Sequence, residues 1–259
     1  MTDGLRVEVD GLVATLTLDR PEALNALTVP VKVALREALE SIAADRGVRA
    51  VILTGTGRAF CAGQDLAERE QPDAAPLDVE VRDRYNPIVR AIRAMGQPVI
   101  AAVNGVAAGA GASLAFACDV RLAAEEARFV LAFGRIGLVP DSGATWFLPR
   151  LVGPAKAAEL ALVGDPVDAA EALRLGLVTM VIPGDRLMVE ARALADRVAE
   201  GAPLAMALTK GALQRSMSID LDQALEGEAK LQGIAGASAD HAEGLAAFRE
   251  KRAPRFTGS

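Results

Sequence analysis

Between Arg93 and Asp119 the chain runs for 25 residues without a charged side chain, and a bilayer needs only about 20. A stretch this apolar must be buried, either in lipid or in protein. Its content decides between them. Gln97, Pro98, Asn104, Gly105, Gly109, Gly111 and Ser113 break it into a β-branched run, a glycine-rich turn and an alanine-rich segment. That pattern reads as a buried strand, a loop and a helix. The expectation is an α/β protein with no membrane span.

The chain has enough material to cover such a unit. Its 259 residues suit one large domain plus an appendage, and 51% hydrophobic residues exclude a disordered or fibrous protein. With 28 Lys and Arg against 34 Asp and Glu, the net charge of -6 lacks the basic field of nucleic-acid or anionic-membrane binders. Any anionic ligand must therefore be held by a few local groups. Cys61 and Cys118 sit among small apolar residues and read as buried thiols of a reducing compartment. The start, Met1-Thr-Asp-Gly-Leu-Arg6, lacks the basic patch and apolar run of a signal peptide, so the cytoplasm is the expected location.

Leu5 to Val9 and Val13 to Leu18 flank Asp10-Gly11 and predict a hairpin. Thr28 caps a predicted helix that places Val31, Leu35, Leu39 and Ile42 on one stripe to about Asp45. A strand over residues 48–54 follows. A polar segment from Glu68 to Asp83 separates a short helix from one ending near Met95. Beyond it come a strand at Val99 to Val103, a helix at Ala110 to Cys118 and a strand at Val120 to Leu122. After Asp141 helices dominate, over 154–162, 169–175, 187–200, 204–216, 221–234 and 240–251, with a single strand at 178–182. We expect a core over residues 1–195 and a helical C-terminal region over 196–259, packing on the core or on a neighbouring subunit.

Two glycine-punctuated loops stand out: Gly57-Arg-Ala-Phe-Cys-Ala-Gly63-Gln64-Asp65-Leu66 and Asn104-Gly105-Val-Ala-Ala-Gly109-Ala110-Gly111-Ala-Ser113. Each follows a strand and leads into a helix, so each can offer free backbone N–H groups to an anion or a developing oxyanion. The alternative is that the glycines only permit tight strand-to-helix packing. Neither loop fits a dinucleotide fingerprint, and no phosphate-loop lysine is present.

With Arg20-Pro-Glu-Ala-Leu-Asn25 before these loops and Ala246-Ala-Phe-Arg-Glu-Lys-Arg252 after them, the chain resembles the enoyl-CoA hydratase/isomerase (crotonase) family over essentially its whole length. The resemblance implies a crotonase-like spiral of ββα units with a helical C-terminal region. It further implies an acyl-CoA substrate, no separate cofactor, and assembly as a trimer or a dimer of trimers. It puts the thioester oxygen on the N–H groups of Gln64 and Ala110. Ala62, Gly63, Asp65, Leu66, Tyr85, Gly109, Phe133, Trp146, Lys251 and Phe256 are implied around the substrate or its CoA moiety.

The chain departs from the family's hydratases where they carry two glutamates, for it has Ser113 and Phe133. Hydration is therefore disfavoured. What remains is Asp141 in Ile136-Gly-Leu-Val-Pro-Asp141-Ser-Gly143, a candidate catalytic base expected to be partly buried among Phe133, Leu138 and Val139. A simple helix N-cap is the alternative. The motif set is most similar to the branch that converts ring 1,2-epoxyphenylacetyl-CoA to the oxepin thioester and shifts 3-enoyl to 2-enoyl double bonds. The 4-chlorobenzoyl-CoA dehalogenases, where a matching aspartate attacks an aromatic ring, are also similar in position. Ser113, Asp141 and His241 occur in hydrolase order but lack the context of a nucleophile elbow. Lys251, Arg252 and Arg255 could meet CoA phosphates or merely suit a helix dipole. Clustering of Tyr85, Phe133 and Trp146 near Asp141 would suit an aromatic acyl group.

Overall fold

The computed structural model describes residues 4–259; the start of the chain at residues 1–3 lies outside them. β1 (Leu5–Asp10) and β2 (Val13–Leu18) form the expected hairpin, with Asp10 paired to Val13. The turn is therefore Gly11-Leu12 and not Asp10-Gly11. Only Gly11 takes a positive φ, at 59°, the pattern of a type II′ turn. In α1 (Val29–Ala44), Thr28 accepts the Val31 N–H, and Val31, Leu35, Leu39 and Ile42 form the buried stripe.

β3 (Ala50–Gly55) and β4 (Ala59–Cys61) follow, then α2 (Leu66–Arg69) and α3 (Leu77–Glu80). A π-helical turn, Val81–Tyr85, runs into α4 (Asn86–Ala94). Helix thus already begins inside the polar segment that the sequence suggested was a spacer. The uncharged stretch resolves into β5 (Val99–Val103), β6 (Val106–Ala108) and α5 (Ala110–Ala117). No helix among the described residues is long and apolar enough to cross a membrane.

β7 (Val120–Ala124), β8 (Arg128–Val130) and a 3-10 turn at Ala132–Ile136 lead to α6 (Ala144–Val152) and α7 (Pro154–Val163). The chain continues through β9 (Val167–Asp168), α8 (Ala169–Leu175), β10 (Met180–Ile182) and α9 (Leu187–Ala199). It ends in α10 (Pro203–Ser216), α11 (Leu221–Gly236) and α12 (Ala239–Glu250).

Six strands form one sheet in the order β1-β2-β3-β5-β7-β10, parallel except for β1, and β4-β6-β8-β9 form a second. Alternation decides what each face buries. Ala50 and Ile52 of β3, with Ile100 and Ala102 of β5, pack against Leu187, Ala191 and Ala195 of α9. Val51, Leu53, Val99, Ala101 and Val103 face the main core with α1, α4 and α5. Both faces are covered, so these strands read as continuous apolar runs. Residue 195, the expected boundary, falls within α9, which packs on the sheet as far as Ala199.

One charge cluster is locked beneath the first glycine loop. Lys32 of α1, with its side chain fully buried, bonds Glu80 of α3 and lies 3.8 Å from Glu68, while Arg84 holds the other Glu80 oxygen. Lys32 Nζ also stands 4.8 Å over the Tyr85 ring. Removing one partner of a buried pair strands the other charge, which typically costs about 3–5 kcal/mol. Arg84 remains on Glu80, so Lys32→Ala should destabilise by about 3 kcal/mol, read as a lower denaturant midpoint at unchanged slope. A loss below about 1 kcal/mol would mean that Arg84 and water suffice to pair Glu80.

Candidate active site

The two glycine loops leave the carboxyl ends of neighbouring parallel strands, β3 and β5, where α/β sheets usually place ligands. Asparagine side chains join them. Asn104 accepts from the Gly55 N–H at 3.1 Å and donates to the carbonyls of Gly57 and Ala59 at 3.0 Å. Asn25, buried in a left-handed conformation, donates to the carbonyls of Thr56 and Ala59 and accepts from the Arg20 N–H. Arg20 in turn bonds the Ala26 carbonyl at 2.7 Å and Asp65 at 2.8 Å.

This lacing leaves an amide without a protein acceptor in each loop among the described residues. Leu27 donates to the Gly63 carbonyl at 2.7 Å and accepts from the Asp65 N–H at 3.3 Å. The residues on either side of Gln64 are thus paired, and the Gln64 N–H has no protein acceptor among the described residues. Ala110 is the first residue of α5, so its N–H is one of the helix's orphan donors. The loops meet closely: a β-carbon on Gly63 would lie 2.9 Å from the Ala108 carbonyl oxygen and 3.3 Å from the Ala110 nitrogen. Gly63 and Gly109 have φ of 89° and 52°, values that a side chain would oppose. Gly105 and Gly111 serve the other role, for a β-carbon on either would collide with a backbone carbonyl at 2.1 Å. The packing reading therefore accounts for Gly105 and Gly111, while Gly63 and Gly109 take backbone conformations suited to glycine. Every residue of α5 is buried, so its N-terminal partial charge acts in a low dielectric.

Asp141 is not a helix cap. The N-cap of α6 is Gly143, without a side-chain bond, and the first turn closes on backbone carbonyls, with the Ala144 N–H donating to the Asp141 carbonyl. Among the described residues the carboxyl takes one bond, from the Ser142 hydroxyl to Oδ1 at 2.9 Å. Burial pushes its pKa above the usual carboxylate value, and the Ser142 bond partly opposes the rise. Of the residues expected around it, Val139 is 75% exposed and Leu138 36%. Phe133 is buried, but at the second loop, where its ring tip would lie 3.8 Å from a β-carbon on Gly109.

The other expected residues divide into groups. Gly63, Asp65 and Leu66 lie around Gln64, but both Asp65 oxygens are engaged, one by Arg20 and one by the Ala67 and Glu68 amides at the start of α2. Arg20 first, then those amides, hold the Asp65 carboxyl below its usual pKa. Ala62 donates to the Leu24 carbonyl, and Leu66 is exposed at the rim. A polar cavity of about 160 Å³ opens beside Gln64, lined by Glu68, Arg69, Glu80 and Arg84.

No ring-to-ring contact joins Tyr85, Phe133 and Trp146 among the described residues. Tyr85 stacks under Lys32, and Trp146 packs edge-on against Phe147 with Arg150 over it. The Tyr85 hydroxyl is buried without a partner among the described residues, and burial followed by nearby negative groups, Asp141 among them, pushes its pKa up. Phe256 lies elsewhere: its carbonyl accepts from Arg49 at 2.8 Å, at the amino end of β3. The free amides sit past the carboxyl end, roughly 20 Å along the strand. Lys251 ends α12 in a left-handed conformation, and Arg252 is engaged by Glu243 and Glu250.

The hydrolase arrangement is absent. The Ser113 hydroxyl donates to Gly109 in its own helix, Asp141 is bonded by Ser142, and His241 sits in the first turn of α12. Cys61 and Cys118 are buried free thiols, both pushed up to about 12 mainly by burial. Arg20, Asn25 and Asn104 stood in quoted motifs but carried no expected role; each reaches across loops distant in sequence.

The sequence model described as "Enoyl-CoA hydratase/isomerase" matches residues 8–259. A probable enoyl-CoA hydratase of Rhodobacter capsulatus is 46% identical over 254 residues, covering 98% of both chains. The 1,2-epoxyphenylacetyl-CoA isomerase of Escherichia coli K12 is 42% identical over 261 residues, covering 100% of both. Among solved structures, the enoyl-CoA hydratase from Bacillus anthracis superimposes with a TM-score of 0.96 at 35% identity, over 99% of this chain and 100% of that one.

Proposed function

Because the chain belongs to the enoyl-CoA hydratase/isomerase family and has its crotonase fold, we propose that it is an acyl-CoA isomerase with Asp141 as its single base. The observation that carries this reading is the shortage of ionisable groups. Where two glutamates would serve hydration, Ser113 is bonded into α5 and Phe133 is apolar, which leaves one desolvated carboxyl with one unbonded oxygen. Hydratase names among the relatives support the competing reading, but adding water needs one group to activate it and another to protonate the α-carbon.

In double-bond migration Asp141 takes a proton from the carbon next to the thioester. The C–H electron pair moves onto the carbonyl oxygen, where the Gln64 and Ala110 amides meet the developing charge. The same carboxyl then returns the proton two carbons away. With a ring-epoxidised phenylacetyl thioester, the same group assists ring expansion to the oxepin. A dehalogenase-like direct attack on an aromatic ring is the secondary role open to this carboxylate.

The likeness to the E. coli isomerase supports the aromatic epoxide substrate and a place in phenylacetate breakdown. Exposed Leu213, Met217, Leu221, Leu225 and Phe248 on α10 to α12 support burial of that region in a trimer or dimer of trimers. There, Lys251 and Phe256 would approach a neighbour's CoA and not their own. A cytoplasmic location and independence of any separate cofactor belong to the same reading. A panel of 3-enoyl, 2-enoyl and ring-epoxidised phenylacetyl thioesters tests it. Isomerisation should exceed hydration by about 10²-fold or more, and hydration as fast as isomerisation would overturn it.

A further inference from the structure

We infer that Ser142 is the positioning residue of this site: its hydroxyl holds Oδ1 of Asp141, fixing the carboxyl plane so that Oδ2 alone is presented for proton transfer. The inference rests on the reading of Asp141 as the base and goes beyond it. Three observations converge on Ser142. Its hydroxyl bond to Asp141, at 2.9 Å, is the only hydrogen bond that this carboxyl makes among the described residues. The residue is 1% exposed although polar, so the hydroxyl is committed to an internal partner. Its φ of 52° makes it one of four non-glycine residues with positive φ among the described residues.

A left-handed serine is strained, and such strain persists only where surrounding structure over-determines it. Here the next residue, Gly143, is left-handed too, at 84°, and a β-carbon on it would meet the Phe147 ring at 2.6 Å. The two left-handed residues start α6 from backbone carbonyls alone. They thereby release the Asp141 carboxyl from capping and turn the Ser142 hydroxyl towards it. A hydroxyl donor favours the charged carboxylate, whereas burial favours the neutral acid. Ser142 thus keeps a desolvated base ionised at a pH where burial alone would protonate it.

The groups around Asp141 add little competing charge. No cation contributes to its shift, whose causes are burial and Ser142. Tyr85, on the π-helical turn, feels the Asp141 charge, and Cys61, at the end of β4, couples to Tyr85. Both are pushed up by burial, so both stay neutral while Asp141 titrates.

The test compares Ser142→Ala and Ser142→Gly with wild type, measuring isomerase kcat/KM on a 3-enoyl-CoA against pH. Losing the hydroxyl raises the Asp141 pKa, so the acid limb should move to higher pH by about 0.5–1 unit in both variants. At pH values below the limb this reads as a 3- to 10-fold loss that alkali restores. Glycine accepts φ of 52° without strain, so Ser142→Gly separates the hydroxyl from the backbone and decides the matter if Ser142→Ala folds poorly. An unmoved limb in folded Ser142→Gly overturns the inference. Asp141→Asn, run alongside, keeps the two claims apart. If it retains turnover, the base reading fails. If it is inactive while the limb of Ser142→Gly stays put, only the role of Ser142 fails.

Discussion

Asp141→Asn is expected to lower isomerase turnover by about 10²–10⁴-fold, the usual contribution of general acid–base catalysis, while leaving the fold intact. Asparagine matches aspartate in shape, and its Oδ1 can still accept from Ser142. The Asp141 carbonyl that closes the first turn of α6 is unchanged. Because the carboxyl caps nothing, stability should shift by less than about 1 kcal/mol, so lost rate can be read as lost chemistry. Thioester binding should persist, since the amides proposed to meet the thioester oxygen come from other loops. A folded, binding-competent Asp141→Asn enzyme within about threefold of wild type would move the base elsewhere. Wild-type activity should also fall as pH drops, because a base must be ionised. That fall should begin above the ordinary carboxylate range, since burial raises the Asp141 pKa.

That Asp141 does not cap α6 could not be read from the sequence. Asp-Ser-Gly-Ala-Thr ahead of an apolar helix is a good capping sequence, and no one-dimensional pattern reveals that Ser142 turns left-handed. The hairpin, α1, β5 and α5 were legible because hydrophobic period and turn chemistry agree along six or more consecutive residues, or along an uncharged run. The second sheet was not, because β4, β6, β8 and β9 are two or three residues long. No periodicity can be counted over so few positions, and their pairing is set by distant loops. The glycines drew attention to both loops, yet only the built backbone separates Gly63 and Gly109, which take positive φ, from Gly105 and Gly111, which clear a packing contact. Lys251 and Phe256 were legible as a motif but not as a location, for that depends on how α10 to α12 fold back towards Arg49.

Replacing Ala110 by proline should cost about 10²–10³-fold in kcat, the usual effect of deleting one oxyanion donor, and the local backbone is suited to the change. Ala110 is the first residue of α5, where proline is tolerated because that N–H has no helical partner. Proline also restricts its predecessor to extended conformations. Gly109, at φ 52° and ψ -125°, occupies the mirror image of one, which glycine alone adopts freely. The ring carbon replaces the hydrogen that would meet the thioester oxygen, so affinity for a CoA thioester must be measured beside rate. Ala110→Gly retains the N–H and controls for the lost methyl group. A folded Ala110→Pro enzyme with unimpaired turnover would remove this amide from the oxyanion site. The two substitutions also differ in reach. Stabilising the thioester oxygen serves every reaction that passes through an enolate, so Ala110→Pro should depress each activity that the panel finds. Asp141→Asn should depress only those that need a proton moved by that carboxyl. An activity that falls with the first and survives the second would identify a different base within the same pocket.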